Sequence, residues 1–162
     1  MKKMVNVFIP YPDVEKSIKA LHIRTISKML HEINVILKAI DGIKENKKVG
    51  YMNHPITLMW KDYKGVLECY QALLLHEYNT RTYPNLDIEE YKLRKADIEV
   101  LNTFLDYILK NDEEYFRLQR QHLRYKSEQY KTDWYIKEFP LDITKQGYKV
   151  LINNEWVYYP KK

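Results

Sequence analysis

Apolar residues recur at three- and four-residue steps through most of this 162-residue chain, and this spacing constrains the fold more than any other feature. Such a period places the apolar side chains on one face of an α-helix. The first run begins after Asp13, a residue type that caps helix N-termini, and Gly42 is typical of a helix end. The pattern predicts one long helix with a buried face made of Val14, Ile18, Leu21, Met29, Ile33, Ile36 and Ile40.

The same spacing predicts three further helices. The second begins at the N-cap Asn53, has Pro55 in its first turn, where proline is tolerated, and closes over residues 82–85. The third runs from about Asp87, and its apolar stripe contains Ile98, Leu101, Leu105 and Ile108. The fourth, residues 113–131, is much more polar than the others.

Two short runs at the C-terminal end are rich in β-prone residues. Residues 148–152 and 155–159 flank Asn153-Asn154, and asparagine tolerates the positive φ that tight hairpin turns require. The sequence therefore predicts an all-α fold: a compact single-domain helical bundle of residues 1–162, with a short N-terminal extended segment at 5–9 and a C-terminal β-hairpin.

Composition narrows the classes of protein to consider. Apolar residues make up 45% of the chain and charged residues 30%, which is typical of a folded protein rather than a disordered one. The single cysteine, Cys69, excludes an internal disulfide framework. No run is long and apolar enough for a membrane span. We therefore expect no membrane partner, and a cytoplasmic location in a bacterial or phage-infected host cell.

The charge balance permits a polyanionic partner without demanding one. The chain carries 27 Lys and Arg against 22 Asp and Glu, a net charge of +5 with a pI near 9.0. Fifteen tyrosines and three tryptophans offer aromatic surface, which can stack on bases or pack in the core.

Several kinds of enzyme are excluded by missing motifs. The chain has neither the glycine-rich phosphate loop nor the dinucleotide-binding turn. His76-Glu77 lacks the second histidine of the zinc-protease helix, and the five histidines form no close ligand pair. We expect no metal and no cofactor. Cys69 lies in an apolar helical stretch, which favours a buried inert thiol over a nucleophile.

Two groups of charged residues are candidates for a site. Arg24, Lys28 and Glu32 form an i, i+4, i+8 row, which is either a solvated face with weak ion pairs or a carboxylate held among cations for proton transfer. Arg117, Arg120, Arg124 and Lys131 share roughly one face of the fourth helix. That face could follow a phosphate backbone or simply be solvated.

Three stretches resemble the pyrimidine-dimer DNA glycosylases related to phage endonuclease V. Val7-Phe8-Ile9-Pro10-Tyr11-Pro12-Asp13 is similar to the opening of that family and leads into its glutamate-bearing helix over residues 21–37. His54-Pro55-Ile56-Thr57-Leu58-Met59-Trp60, continuing to Arg81, resembles the second family helix, and residues 120–130 resemble its basic C-terminal segment.

The resemblance implies a compact all-α enzyme that binds damaged double-stranded DNA, and we expect it to act as a monomer. In that family an N-terminal amine attacks C1′ of the damaged nucleotide, the base leaves, an imine joins enzyme and sugar, and β-elimination can nick the strand. Glu32 matches the family glutamate that stabilises the cationic intermediate. Lys28 matches a cationic position one turn earlier, His54 a histidine near the DNA, and Arg120 and Arg124 a pair that contacts phosphates.

The identity of the amine stays open at the sequence level. The chain begins Met1-Lys2-Lys3-Met4, ahead of the expected family start, and Thr25 and Leu30 replace basic residues of the family. The amine is that of Met1, that of Val5 after translation from Met4, or a side-chain amine of Lys2 or Lys3.

Three functions follow, in order of preference. The first is a metal-free glycosylase with AP-lyase activity on pyrimidine dimers or another modified pyrimidine, at a groove wide enough for an extruded nucleoside. Its predicted catalytic residues are Glu32 with Met1 or Lys2, and its DNA contacts are Arg24, Lys28, His54, Arg117, Arg120 and Arg124. The second is a non-catalytic DNA-binding module on the same scaffold, and the third is a helical protein that binds a protein partner through its tyrosines.

Overall fold

The computed structural model describes residues 6–83, 94–130 and 147–159. In these residues the chain forms six helices and one antiparallel hairpin, so the predicted fold class is confirmed. The elements are α1 Val14–Ala20, α2 Ile23–Glu45, α3 Pro55–Trp60, α4 Lys64–Thr82, α5 Lys95–Tyr107, α6 Glu113–Tyr130, β1 Tyr148–Ile152 and β2 Glu155–Tyr159.

The prediction of one long first helix is wrong, because the chain breaks at Leu21 and His22. Asp13 does cap α1, and its Oδ1 accepts a hydrogen bond from the Lys16 N–H at 2.8 Å. Leu21 is extended, and His22 caps α2 through Nδ1. The guanidinium of Arg81, on α4, donates a hydrogen bond to the Leu21 carbonyl at 2.6 Å. This bond gives a partner to a carbonyl that the end of α1 leaves without one inside the helix.

Gly42 does not end α2, contrary to the sequence prediction. The helix continues to Glu45 and ends at Asn46, whose φ of 57° is left-handed. Gly42 serves close packing instead, since a Cβ there would lie 2.7 Å from Cγ2 of Val49.

The predicted second helix is two helices, α3 and α4, separated at residues 61–63. The cap of α3 is His54 rather than Asn53: its Nδ1 accepts a hydrogen bond from the Ile56 N–H at 3.2 Å. The predicted close of the second helix is confirmed at Thr82, the last residue of α4. Residues 84–93 lie outside the described chain, and with them the predicted start of the third helix near Asp87.

The later elements agree with the sequence pattern in position. Within α5, Leu101 and Leu105 are fully buried. Helix α6 begins at Glu113 as predicted, but it is a core element rather than a solvated one. Its buried residues are Tyr115, Phe116, Leu118, Gln119, Gln121, His122, Leu123 and Ser127.

The hairpin turns at Asn153 and Asn154, whose φ values of 51° and 65° confirm the predicted turn chemistry. Its strand β1 packs on α3 and α6, while α2 packs on α4 and α4 on α5. Lys149 of β1 is buried and its Nζ lies 2.7 Å from Asp112 and 3.0 Å from Glu114, which ties the hairpin to the start of α6.

Candidate active site

A small cavity lies where the N-terminal segment (residues 6–12) meets α2 and α6. Its volume is about 30 Å³. We call it the Glu32 cavity; it is lined by Phe8, Thr25, Lys28, Met29, Glu32, Leu123 and Lys126. By this measure it holds about one or two water molecules, far less than an extruded base needs. The cavity that the described residues form at Glu32 is therefore smaller than the nucleoside-wide groove predicted from the sequence.

Helix α2 supplies four lining residues at positions i, i+3, i+4 and i+7, which share one helical face. Met29 is buried and fixes the rotation of this face towards the core. Lys28 is exposed and Glu32 half-buried, so the carboxylate lies at the edge of the core rather than inside it. The buried hydroxyl of Thr25 has no hydrogen-bond partner among the described residues, which leaves it available to a polar group entering the cavity.

The N-terminal segment is fixed at several points along its length. The Asn6 N–H donates to Glu32 Oε2 at 3.3 Å. The Tyr70 hydroxyl donates to the Phe8 carbonyl at 2.5 Å, and the Ile9 N–H donates to Gln119 Oε1 at 3.2 Å. Asn6 through Pro10 are all buried. These contacts bring the beginning of the described chain to the glutamate that the sequence singles out.

His122 holds the same segment from α6. Its Nδ1 lies 3.3 Å from Asn6 Nδ2, and its ring packs edge-on against Phe8 with centroids 5.3 Å apart. Burial lowers the pKa of His122 to about 3, and the positive charges of Lys126 and Lys28 act in the same direction. The imidazole is therefore neutral at physiological pH and accepts from the Asn6 amide.

Lys126 enters the cavity from α6 and was not singled out by the sequence pattern. Its Nζ lies 5.4 Å from the centroid of the Phe8 ring. Burial lowers the pKa of Lys126 to about 8; the charge of Lys28 contributes to this shift and that of Glu32 opposes it. The cavity thus combines a carboxylate with two amines.

The predicted arginine stripe of α6 does not line the cavity. Lys126 is six residues beyond Arg120, which places it about 120° away from Arg120 around the helix. Arg120 donates to the Pro10 carbonyl at 2.9 Å and to Glu113 at 2.7 Å, so it fixes the N-terminal segment. Arg117 lies 3.8 Å from Glu114, and Arg124 is half-buried.

The other predicted site residues are distributed as follows. Arg24 is exposed on α2, one turn before Lys28, and does not line the cavity. His54 caps α3 and packs against Tyr51, with ring centroids 5.8 Å apart. Met1 and Lys2 lie outside the described residues. The structure thus brings Lys28 and Glu32 together and adds Lys126, Phe8 and Thr25.

A model of the pyrimidine dimer DNA glycosylase family matches residues 5–89, just over half of the chain. The chain belongs to this family. The match includes α2 with Glu32, and α3 with His54, whereas α6 lies beyond it. Membership implies DNA glycosylase activity and a DNA substrate. No curated protein and no solved structure matches the chain.

The described residues offer neither a metal site nor a membrane-spanning helix. Among residues 6–83, 94–130 and 147–159, no group of three metal-ligating side chains could hold an ion. No helix in those ranges has the length and apolar character to cross a membrane. Cys69 is partly buried, and burial, together with a hydrogen bond to Asp97, raises the pKa of its thiol to about 11.

Missed residues had weak signals in the sequence. Lys126 lies inside the resembling segment 120–130 but off the regular arginine stripe. Phe8 and His122 are ordinary core residues by pattern, and only the path of the N-terminal segment places them beside Glu32.

Proposed function

We propose that the protein is a DNA glycosylase with AP-lyase activity on pyrimidine dimers or another modified pyrimidine, acting through an imine that an N-terminal amine forms at C1′. The observation that supports this most directly is the 3.3 Å hydrogen bond from the Asn6 N–H to Glu32 Oε2. It joins the N-terminal segment to the carboxylate of the predicted catalytic helix.

The amine acts as the nucleophile in this proposal. An α-amine has a pKa near 8, so a useful fraction is neutral at physiological pH. Its lone pair attacks C1′ as the glycosidic bond breaks and the base leaves with its electron pair. Met1, Val5 after translation from Met4, and the side chains of Lys2 and Lys3 stay the candidates. An amine on residue 5 is one residue from the Asn6 nitrogen, about 3–4 Å along the chain.

Glu32 carries out two tasks in the same scheme. Its negative charge stabilises the protonated imine, and its carboxylate takes the C2′ proton so that the C3′–O bond breaks. Lys28, at the rim of the Glu32 cavity, is suited to the phosphate flanking the lesion. The small volume of the cavity favours entry of the sugar carbon, with the damaged base remaining outside it.

Substitution of Glu32 tests this function. We expect Glu32→Gln to lower base release from a pyrimidine-dimer duplex by roughly 10²–10⁴-fold, because a positioned acid–base group typically contributes that much. Duplex affinity should change only a few-fold. The matched control is Glu99→Gln, which alters an exposed glutamate of α5. Base release would be followed by strand scission after alkali, and binding by fluorescence anisotropy.

Borohydride trapping provides the complementary measurement. Reduction during turnover should leave the protein covalently joined to the DNA, and the linked peptide identifies the amine. Wild-type protein that binds duplex DNA in a salt-sensitive way but neither releases bases nor forms an adduct would contradict the proposal. That outcome would favour the non-catalytic DNA-binding module instead.

A further inference from the structure

We infer that Lys126 is a second amine nucleophile of the Glu32 cavity, which forms an imine with the aldehyde of an abasic deoxyribose and cleaves the strand without the N-terminal amine. This inference rests on the proposed function, since it places a second reaction at the same carboxylate. Lys126 lines the cavity together with Glu32 and Lys28.

The position of Lys126 is set by packed neighbours. Leu123, one turn earlier on α6, is buried and lines the same cavity, and the lysine Nζ lies 5.4 Å from the Phe8 ring centroid. Phe8 is itself fixed through its carbonyl by Tyr70. An amine held among rigid groups at a cavity wall needs little reorganisation to meet a small electrophile.

Burial favours the neutral form of Lys126, the positive charge of Lys28 adds to this effect, and the negative charge of Glu32 opposes it. Lys28 and Glu32 face it from α2, and His122 lies one turn away on α6 as a neutral ring. With a pKa of about 8, roughly one amine in ten is neutral at pH 7, against fewer than about one in a thousand for an ordinary lysine. A desolvated lysine beside another cation is an activated nucleophile.

The size of the cavity suits the aldehyde of an abasic site. About 30 Å³ admits an aldehyde carbon and its oxygen, and it is too small to hold a base as well. An abasic site has no base, and its ring-opened form presents C1′ as an aldehyde. The buried hydroxyl of Thr25, which has no partner in the described part of the chain, can donate a hydrogen bond to the aldehyde oxygen.

The reaction balances with water as the only other participant. The Nζ lone pair forms a bond to C1′, and the carbinolamine loses water to give the iminium. Glu32 takes a C2′ proton, a C2′–C3′ double bond forms, and the C3′–O bond breaks with departure of the phosphate. Water then hydrolyses the iminium, which frees the amine and leaves an unsaturated aldehyde on the upstream strand.

Peptide mapping of the trapped wild-type protein tests the inference without any variant. Full-length protein is incubated with a duplex containing one abasic site, reduced with borohydride and digested. We expect deoxyribose on the peptide that contains Lys126. An adduct confined to residues 1–5 would overturn the inference and leave the proposed function intact, whereas absence of any adduct on abasic and dimer DNA would overturn both.

Variants give the kinetic version of the same test. Lys126→Arg keeps the charge but removes a titratable amine, and should lower abasic-strand cleavage at least about 100-fold while dimer base release falls far less. The matched control is Lys95→Arg, at an exposed position of α5. Equal cleavage rates for Lys126→Arg and wild type would refute the second nucleophile.

Discussion

At the scale of single residues, His122 has the most informative environment. It is 8% exposed, it lies against Phe8 and Tyr148, and it accepts from Asn6. Its pKa of about 3 in the folded protein is well below the 6.5 of an unfolded histidine. His122 therefore lowers the stability of the folded state below pH 6.5, where the unfolded chain binds a proton that the folded protein does not. Above pH 6.5 the imidazole is neutral in both states and this cost disappears.

We expect the free energy of unfolding to fall as pH drops from about 6.5 towards 3, because the unfolded state binds a proton there that the folded state does not. The slope from this one group is about 1.4 kcal/mol per pH unit. Urea unfolding at several pH values between 5 and 7.5 measures it, above the range in which carboxylates titrate.

The matched variants are His122→Gln, whose amide oxygen can still accept from Asn6, and His31→Gln on the exposed surface. The first should flatten the pH dependence and the second should leave it unchanged. An identical slope in wild type and His122→Gln would show that the histidine does not carry the effect.

The sequence places Lys28 and Glu32 on one face because both lie on one helix, where spacing determines which side chains share a face. The family resemblance, not the spacing, predicts a catalytic role for Glu32. Sequence reasoning could not identify Lys126, because that residue reaches the cavity only through the rotation of α6 against the rest of the core. The regular spacing of the arginines predicted a DNA-binding face on the opposite side of the same helix. Burial of eight α6 residues, several of them polar, sets that rotation.

At the scale of elements, the ends of the helices depend on contacts with residues distant in sequence, which a local sequence pattern cannot reveal. The break between α1 and α2 is stabilised by Arg81, which donates a hydrogen bond to the Leu21 carbonyl from 60 residues further along the chain. The local spacing of apolar residues therefore could not predict this break. Similarly, the glycine at position 42 is needed because Val49, across a loop, packs too closely for a Cβ, and not because the helix ends there. The hairpin was predictable because its turn depends on Asn153 and Asn154 alone.

The turn of the hairpin supports a stability prediction. Asn154 has φ 65°, a conformation that glycine adopts at no steric cost. We expect Asn154→Gly to raise the free energy of unfolding by about 0.5 kcal/mol and Asn154→Ala to lower it by about 1 kcal/mol. Because β1 packs on α3 and α6, the change should appear in the global urea transition.

Asn53→Gly is the control for that prediction. Asn53 is also an exposed loop asparagine, but it is not among the residues with positive φ. Glycine there adds freedom to the unfolded chain without relieving strain, so stability should fall slightly. A gain of equal size at both positions would mean that turn conformation is not the cause.

At the scale of the whole molecule, the cavity depends on three parts of the chain that are far apart in sequence. The N-terminal segment, α2 and α6 meet there, and Gln119 and His122 of α6 hold the segment against Glu32. The order of the helices along the chain could be predicted from the sequence. Their rotation relative to one another could not, because it is set by buried contacts between segments more than 100 residues apart.

The net charge of +5 predicts salt-dependent binding to duplex DNA. Each phosphate neutralised by a lysine or arginine contributes about −0.9 to the slope of log affinity against log salt concentration. Arg24 and Lys28 are exposed on the face of α2 that leads to Glu32, and they are free to approach a backbone without breaking a core contact. We therefore expect Arg24→Ala to reduce the magnitude of the slope by about 0.9, and the double variant with Lys28→Ala by about 1.8.

The measurement uses anisotropy with a duplex carrying a tetrahydrofuran abasic analogue, which has no aldehyde and cannot form an imine. Affinity is recorded at several salt concentrations from roughly 50 to 200 mM, a range over which phosphate contacts weaken steeply. Lys95→Ala removes a charge at an exposed position of α5, a helix that contributes nothing to the cavity lining, and should leave the slope unchanged. An equal fall in slope for Lys95→Ala and Arg24→Ala would mean that the overall charge attracts DNA with no preferred face. It would contradict the prediction that the duplex binds beside the Glu32 cavity.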